Sequence, residues 1–244
     1  MAKATGLGSR LWVASTNLSG DINALGRISG GPAALDLSDI TQGGYDRAGG
    51  RRDGGIDVTC YFNPSAARAH AVYSALPRTD TVVSYAVATA IGSPCASCQA
   101  VQIGYDGTMN QDGSFTLAVA TNSDRYGLEW GELLTDGDGR TDTTATASGT
   151  GLDGTAATTF GAQFYLHLSA FTGTSVVVKI QDSADNATFA DLSGAAFASK
   201  SAVGFERIAV TGTVRRYLRV ATTGTFSNAT FLVNAVRNLT AVSF

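Results

Sequence analysis

Apolar and polar residues alternate in short runs along this chain, with the period of two that half-buried strands require. Before residue 135 the runs fall at residues 11–14, 34–37, 55–62, 81–87, 100–103 and 114–120. The stretch Ile56-Asp57-Val58-Thr59-Cys60-Tyr61 shows the alternation most cleanly. After residue 157 they fall at 164–169, 175–181, 206–210, 216–220 and 229–235, parted by Gly, Asp, Asn and Ser clusters at sandwich-like spacing. One stretch departs from this period. Asn63 is an N-cap type, Pro64 suits a first helical turn, and Ala67, Ala71, Val72 and Leu76 follow at three- and four-residue spacing before Pro77. The pattern predicts a mainly β chain with a single helix at about 64–76.

The longest break in the pattern is the Gly/Thr/Asp/Ser tract from Thr135 to Thr155, in which Leu152 is the bulky apolar residue. Such a tract buries too little to fold alone. It predicts a flexible linker at 135–157 between a β domain at 1–134 and a second small β-sandwich at 158–244. Glycine supplies 29 of the 244 residues and only 15% are charged, as in short strands joined by tight turns. The net charge is -3, and 14 of the 20 acidic residues lie before residue 141. A duplex-binding face needs a concentration of basic residues instead. No apolar run approaches the ~18 residues of a membrane span, and the amino terminus has none of signal-peptide length. A soluble product made in the cytoplasm is the expectation.

Little in the chain points to chemistry. Cys95-Ala96-Ser97-Cys98 has the spacing of thiol oxidoreductases and of half a zinc site, but strand patterns and Pro94 flank it where a redox motif needs a helix. Zinc would need two more ligands from Cys60, His70 and His167, which fall on a strand, on the helix and in the other domain. Small residues in a turn of a reduced protein are expected here. Asp136-Gly137-Asp138-Gly139-Arg140-Thr141-Asp142 begins like a calcium loop, yet Arg140 takes a ligand position and Ala147 stands where the bidentate Glu belongs. Glu129, Glu132 and Glu206 form no recognisable acid/base pair, and no G-x-S-x-G elbow accompanies the two histidines. No catalytic residue, cofactor or metal is expected.

Residues 41–55 stand out, with Tyr45, Asp46, Arg47, Arg51, Arg52 and Asp53 set among glycines between two strand runs. A loop that long is usually functional or disordered. Its mixed charges and aromatic suit a protein interface, and a mobile Gly-rich hairpin tip is the alternative.

The order of features is specific as a set: the Gly/Arg loop, the 55–62 strand, Asn63-Pro64 opening an Ala-rich helix, then Gln102-Ile103-Gly104-Tyr105-Asp106-Gly107, Asp112-Gly113-Ser114-Phe115-Thr116-Leu117 and Tyr126-Gly127-Leu128-Glu129-Trp130-Gly131. Over residues 7–135 it resembles the major tail (tail tube) proteins of long-tailed bacteriophages, particularly those of actinobacterial hosts. Residues 158–244 resemble small β-sandwich modules that decorate phage virion proteins. The resemblance implies a tail-tube-type β-sandwich or barrel with one flanking α-helix, followed by a small β-sandwich. It implies rings of six copies stacked into a hollow tube within the virion, assembled in the bacterial host cytoplasm, with the 41–55 loop reaching the neighbouring ring. The implied partners are the chain itself, a tape-measure protein, tail-terminator and baseplate proteins, and double-stranded DNA in transit without specific binding. No membrane and no catalytic residues are implied. A second reading, from the binding class, makes the chain a virion decoration or carbohydrate-binding protein acting through 158–244. That reading expects Tyr165, Phe189 or Tyr217 exposed towards a host-surface glycan.

Overall fold

The computed structural model describes residues 6–75 and 79–241. Short Val-, Ile- and Thr-bearing runs between glycines give eight strands in the first half: β1 (Arg10–Val13), β2 (Thr16–Asn17), β3 (Ile22–Asp36), β4 (Arg47–Tyr61), β5 (Thr81–Ala86), β6 (Pro94–Met109), β7 (Phe115–Ser123) and β8 (Glu129–Leu133). Six more follow: β9 (Arg140–Asp142), β10 (Leu152–Asp153), β11 (Ala162–Ser183), β12 (Ala190–Ala196), β13 (Gly204–Val210) and β14 (Tyr217–Arg237). The chain is mainly β, as its alternation predicts.

Antiparallel pairing runs from one half to the other in the order β12-β11-β14-β8-β6-β5-β1-β2, and β7, β4 and β3 branch from β6. β6 serves both directions. Its first part pairs with β5 and β8, and from Ala100 onward it pairs with β7 through a register shift between Gln102 and Gly104, the kind of irregularity that bends a strand. The runs at 164–169 and 175–181 are two arms of one strand, β11, which pairs with β14 from Ala162↔Arg237 to Ser183↔Tyr217. Three register shifts between Leu168 and Ser175 fold the pair over. Phe164, Leu166 and Leu168 of one arm and Val176, Val178 and Ile180 of the other thereby share a core with Val220, Phe231 and Val233. Only glycine fits at Gly173 in that bend, because a Cβ there would run into the Phe226 backbone. A separate core in the first half gathers Leu11, Ile56, Val58, Val83, Leu117 and Val119.

The helix is shorter than the sequence predicts. α1 covers only Ala69–Tyr73, because Ala67 adopts a left-handed φ of 56° and Arg68 enters extended. Asn63 does not cap it. Its side chain donates to Asp21 Oδ1 at 2.8 Å and accepts the Ser65 N–H at 3.2 Å, while Asp21 Oδ2 takes the Ala69 N–H at 2.9 Å. A carboxylate from a distant turn thus does the capping. Leu76 and Pro77 lie outside the described residues.

Residues 135–157, which composition presents as a flexible linker, are stitched along β14. β9 and β10 both pair with it, and Arg140 binds Asp142 at 2.8 Å and the Val220 carbonyl at 3.0 Å. Backbone hydrogen bonds and charge pairs hold most of the tract, and Leu152 packs against the second core. The two halves also share buried surface. Trp12, Ala86 and Cys95 pack with Leu133 and Leu232, and Val82 packs with Tyr165 and Val236.

A chain of neutral hydrogen bonds crosses the same junction. His167 Nδ1 donates to the Ala14 carbonyl at 2.6 Å, so Nε2 is left to accept from the Ser84 hydroxyl at 2.8 Å. Ser97 then donates to Ser84 at 2.6 Å and the Asn234 amide to Ser97 at 2.8 Å. Burial pushes the imidazole down to about 4, so the native His167 stays neutral.

Two outcomes are expected. Exposed histidine titrates near 6.5, so as pH falls from about 6.5 to 4 the unfolded chain takes up a proton that the native one refuses. Stability should drop over that window by up to about 3 kcal/mol, and denaturation curves of His167→Gln should lack that part of the slope. A chain ending after Thr135 uncovers Trp12, Val82 and Leu133. Calorimetry should show it aggregated or without a cooperative transition.

Candidate functional site

β3 and β4 form a two-stranded ribbon, paired from Ile22↔Cys60 at its root to Asp36↔Arg47 at its end. β4 joins β7 only over Val58–Tyr61, and β3 pairs with no strand but β4 among the described residues. The ribbon beyond Asp53 therefore projects from the body. The segment 41–55 is mostly strand rather than loop: Tyr45 and Asp46 lie in the turn, whereas Arg47, Arg51, Arg52 and Asp53 lie in β4. From Arg47 to Asp53 neither face of β4 packs on a core, so no alternation of apolar residues marks that part. Near the end β4 has two residues, Gly50 and Arg51, where β3 has one, Ala33, between the pairs Pro32↔Arg52 and Ala34↔Gly49, which is a bulge.

The tip is ordered by its own polar groups. The Leu37 N–H donates to the Asp46 carbonyl at 2.8 Å and the Asp46 N–H to Ser38 Oγ at 2.7 Å. Asp39 accepts from the Thr41 hydroxyl and N–H. Hydrogen bonds from Ser38 and Thr41 hold the Asp36 and Asp39 carboxyls below their ordinary range. On this scaffold Leu35, Leu37, Ile40 and Tyr45 stand in solvent, Tyr45 at 75% exposure. The Arg47 guanidinium lies 4.4 Å from the Tyr45 ring centre, a cation–π contact.

The root is rigid. A Cβ on Gly54 would lie 2.6 Å from Leu128 Cβ, and one on Gly30 would lie 2.9 Å from it, so bare backbone on both strands lets Leu128 press against the ribbon. Arg27 ties β3 to Asp57 at 2.8 Å and to the Thr121 carbonyl of β7 at 3.2 Å. Next to Leu128, the buried Glu129 carboxylate accepts from the Tyr165 hydroxyl and from Arg207 Nη2 at 3.0 and 3.2 Å. Arg52 Nη1 of the ribbon lies 3.9 Å from Glu129 Oε1. The Arg207 guanidinium also stacks 3.7 Å from the Tyr126 ring centre. Burial, together with the Glu129 charge, pushes the Tyr165 hydroxyl well above its ordinary range. Glu129 had no visible role in the sequence beyond that of a possible acid, since Arg207 and Tyr165 are remote from it in the chain. The paired glycines Gly54-Gly55 inside an otherwise β-forming run were the one signal of a close approach.

The other candidates separate. Cys95 and Cys98 lie in strand β6, not in a turn. Three residues apart on a strand they point to opposite faces, and burial pushes both thiols up to about 12. His70 hydrogen-bonds the Tyr105 hydroxyl at 2.6 Å beside Phe62. Asp138 pairs with Arg10, and Asp142 with Arg140. No group of three or more possible metal ligands gathers among the described residues, and no helix among them is long and apolar enough to cross a membrane. The aromatics expected on an open glycan-facing surface are otherwise engaged. Tyr165 is fully buried, Phe189 is held between Gly151 and the Arg219 guanidinium, and Tyr217 is half-buried under Arg216.

No protein-family model matches the sequence, and no curated sequence matches it. Among solved structures the chain is similar to the Dit protein of phage SPP1, described as a paradigm of the hub adsorption apparatus in phages infecting Gram-positive hosts. The identity is 10% and the TM-score 0.31, over 94% of this chain and 99% of that one. A chain of the phage p2 baseplate in its activated conformation with Sr is 11% identical, with a TM-score of 0.33 over 96% of this chain and 99% of that one. These values describe a likeness of outline and assign no role.

Removing one member of a buried ion pair strands the other. Arg207→Ala should therefore cost about 3–5 kcal/mol in urea denaturation, and adding Glu129→Leu to Arg207→Met should recover most of the loss.

Proposed function

We propose that the chain is a structural protein of a bacteriophage tail, assembling through its own surfaces into hexameric rings stacked as a hollow tube. The ribbon carries this reading. A two-stranded ribbon is at best marginal alone in water, and this one presents a strand edge that is unpaired among the described residues, together with exposed Leu35, Leu37, Ile40 and Tyr45. In a monomer such an edge invites aggregation. Between copies it becomes a joint.

In this role the segment from Tyr45 to Asp53 makes the ring-to-ring contact, supported by its projection and its mixed charge. The ribbon and whatever receives it are different surfaces, so the contact is heterologous and either closes a ring or propagates a stack. The order of motifs over residues 7–135 supports the tail assignment. The sandwich at 158–244 is the outward decoration, carried by the shared junction rather than by a slack tether. Tape-measure protein and then double-stranded DNA occupy the lumen, where the chain's net negative charge disfavours phosphate binding and lets the duplex slide. Tail-terminator and baseplate proteins close the ends.

Replacing residues 33–51 by Asn-Gly leaves Pro32 opposite Arg52 across a two-residue turn and keeps the root. The variant should melt like the parent yet show only monomers in sedimentation and negative-stain micrographs where the parent forms stacked rings. Tubes from the shortened chain, or a parent that stays monomeric at every concentration, would sink the reading.

A further inference from the structure

If the ribbon is a joint, something on the chain must receive it. Strand β8 alternates sharply, with Glu129 and Leu133 turned inward and Trp130 and Glu132 outward. Trp130 is 52% exposed, unusual for so large an apolar ring. It borders a cleft of about 400 Å³ walled by Pro94, Leu134, Leu152 and Leu239, with Glu132 on its rim.

The charges around this cleft are unequally satisfied. Asp153 is held by Arg216 through two hydrogen bonds of 2.7 Å. Arg237 donates to the Arg215 and Arg216 carbonyls at 2.8 and 2.6 Å. Glu132 belongs to no ion pair within 4 Å among the described residues. The cleft thus offers an open indole, apolar walls and an acid that no cation contacts within 4 Å among the described residues, with the Arg237 guanidinium of the same wall acting on it only through its charge. The ribbon tip offers the complement: Ile40 and Tyr45 in solvent, and an Arg47 guanidinium that lies over the Tyr45 ring and belongs to no ion pair within 4 Å among the described residues.

We infer that the ribbon tip of one copy seats in the Trp130 cleft of a second copy, with Tyr45 against the indole and Arg47 against Glu132. The inference rests on the assembly reading above and adds the receiving surface. A chain's own tip cannot fill its own cleft. The ribbon is gripped at Arg52 beside Glu129, and at about 3.3 Å per residue the tip lies some five to seven residues further out, so it would have to double back. Donor and receiver are different patches on one chain, which makes the contact head-to-tail. Aromatic and arginine anchors in a desolvated pocket are the groups that dominate such contacts.

The test uses the full chain. Trp130→Ala and Glu132→Arg should each raise the concentration needed for assembly at least tenfold in sedimentation velocity. Arg47→Glu combined with Glu132→Arg should bring it back to within a few-fold of the parent, since the swapped pair restores the attraction that either single change turns into repulsion. As a check that does not depend on folding of those variants, Tyr45→Cys chains mixed with Trp130→Cys chains and oxidised with glutathione disulfide should give a linked heterodimer, and neither alone should. Assembly at the parental concentration by Trp130→Ala and Glu132→Arg, or no heterodimer, overturns the inference, including the case in which the cleft takes a saccharide or another protein. If the shortened ribbon abolishes assembly while the cleft variants assemble normally, only the receiving surface is wrong. If the shortened ribbon still assembles, the assembly reading falls with it.

Discussion

A carboxylate cannot stay charged out of water without partners, and the junction of this molecule is arranged around one such group, that of Glu129. Its partners come from three directions: Arg207 on β13, Tyr165 on β11 and Arg52 on the ribbon strand β4. Because none of these elements neighbours β8 in sequence, satisfying the charge sets where the second sandwich and the ribbon lie relative to the first core. Leu128, next to Glu129, meets the ribbon at Gly30 and Gly54, so apolar contact and charge pairing act at one place.

The rest of the junction is neutral. The His167-Ser84-Ser97-Asn234 chain satisfies buried polar groups without charge, and Trp12 with Leu133 and Leu232 fills the space beside it. A tract too polar to form a core is instead held by pairing with β14. These contacts make the two halves lean on each other even though each has its own apolar cluster.

Firm root and bare tip give the ribbon two mechanical regimes. Near Gly54 it is pressed by Leu128 and tied by Arg27 and Arg52. Past Arg52 it is held, among the described residues, by its own cross-strand bonds and the turn at Ser38 and Asp46, the kind of segment found at the low-stability end of a structure. A joint between subunits benefits from both, since the root fixes the direction of the arm and the tip adapts to what it meets.

Much of the fold was legible in the chain. Residues 56–61 alternate because one face of the strand is buried, whereas 229–235 read as a nearly continuous apolar run because both faces are buried. The helix was legible in kind but not in length, because Asp21, far away in sequence, caps it at Ala69. Cys95 and Cys98 looked like a turn because small residues follow Pro94, yet β6 runs through them between two partner strands. The ribbon strand of Arg47 to Asp53 passed for a loop because a strand with neither face buried has no period to show. Tyr45, Arg47 and Arg51 could be picked out by type, while Trp130 and Glu132 could not. By itself, then, the sequence determined the mainly β class, the positions of most strands and the low content of helix, all of which depend on local spacing. Tertiary structure alone decided which strands lie side by side, that Glu129 is shared by three elements, and that the Gly/Arg segment projects as a ribbon, because these depend on residues from about ten to about a hundred positions apart that no local period records.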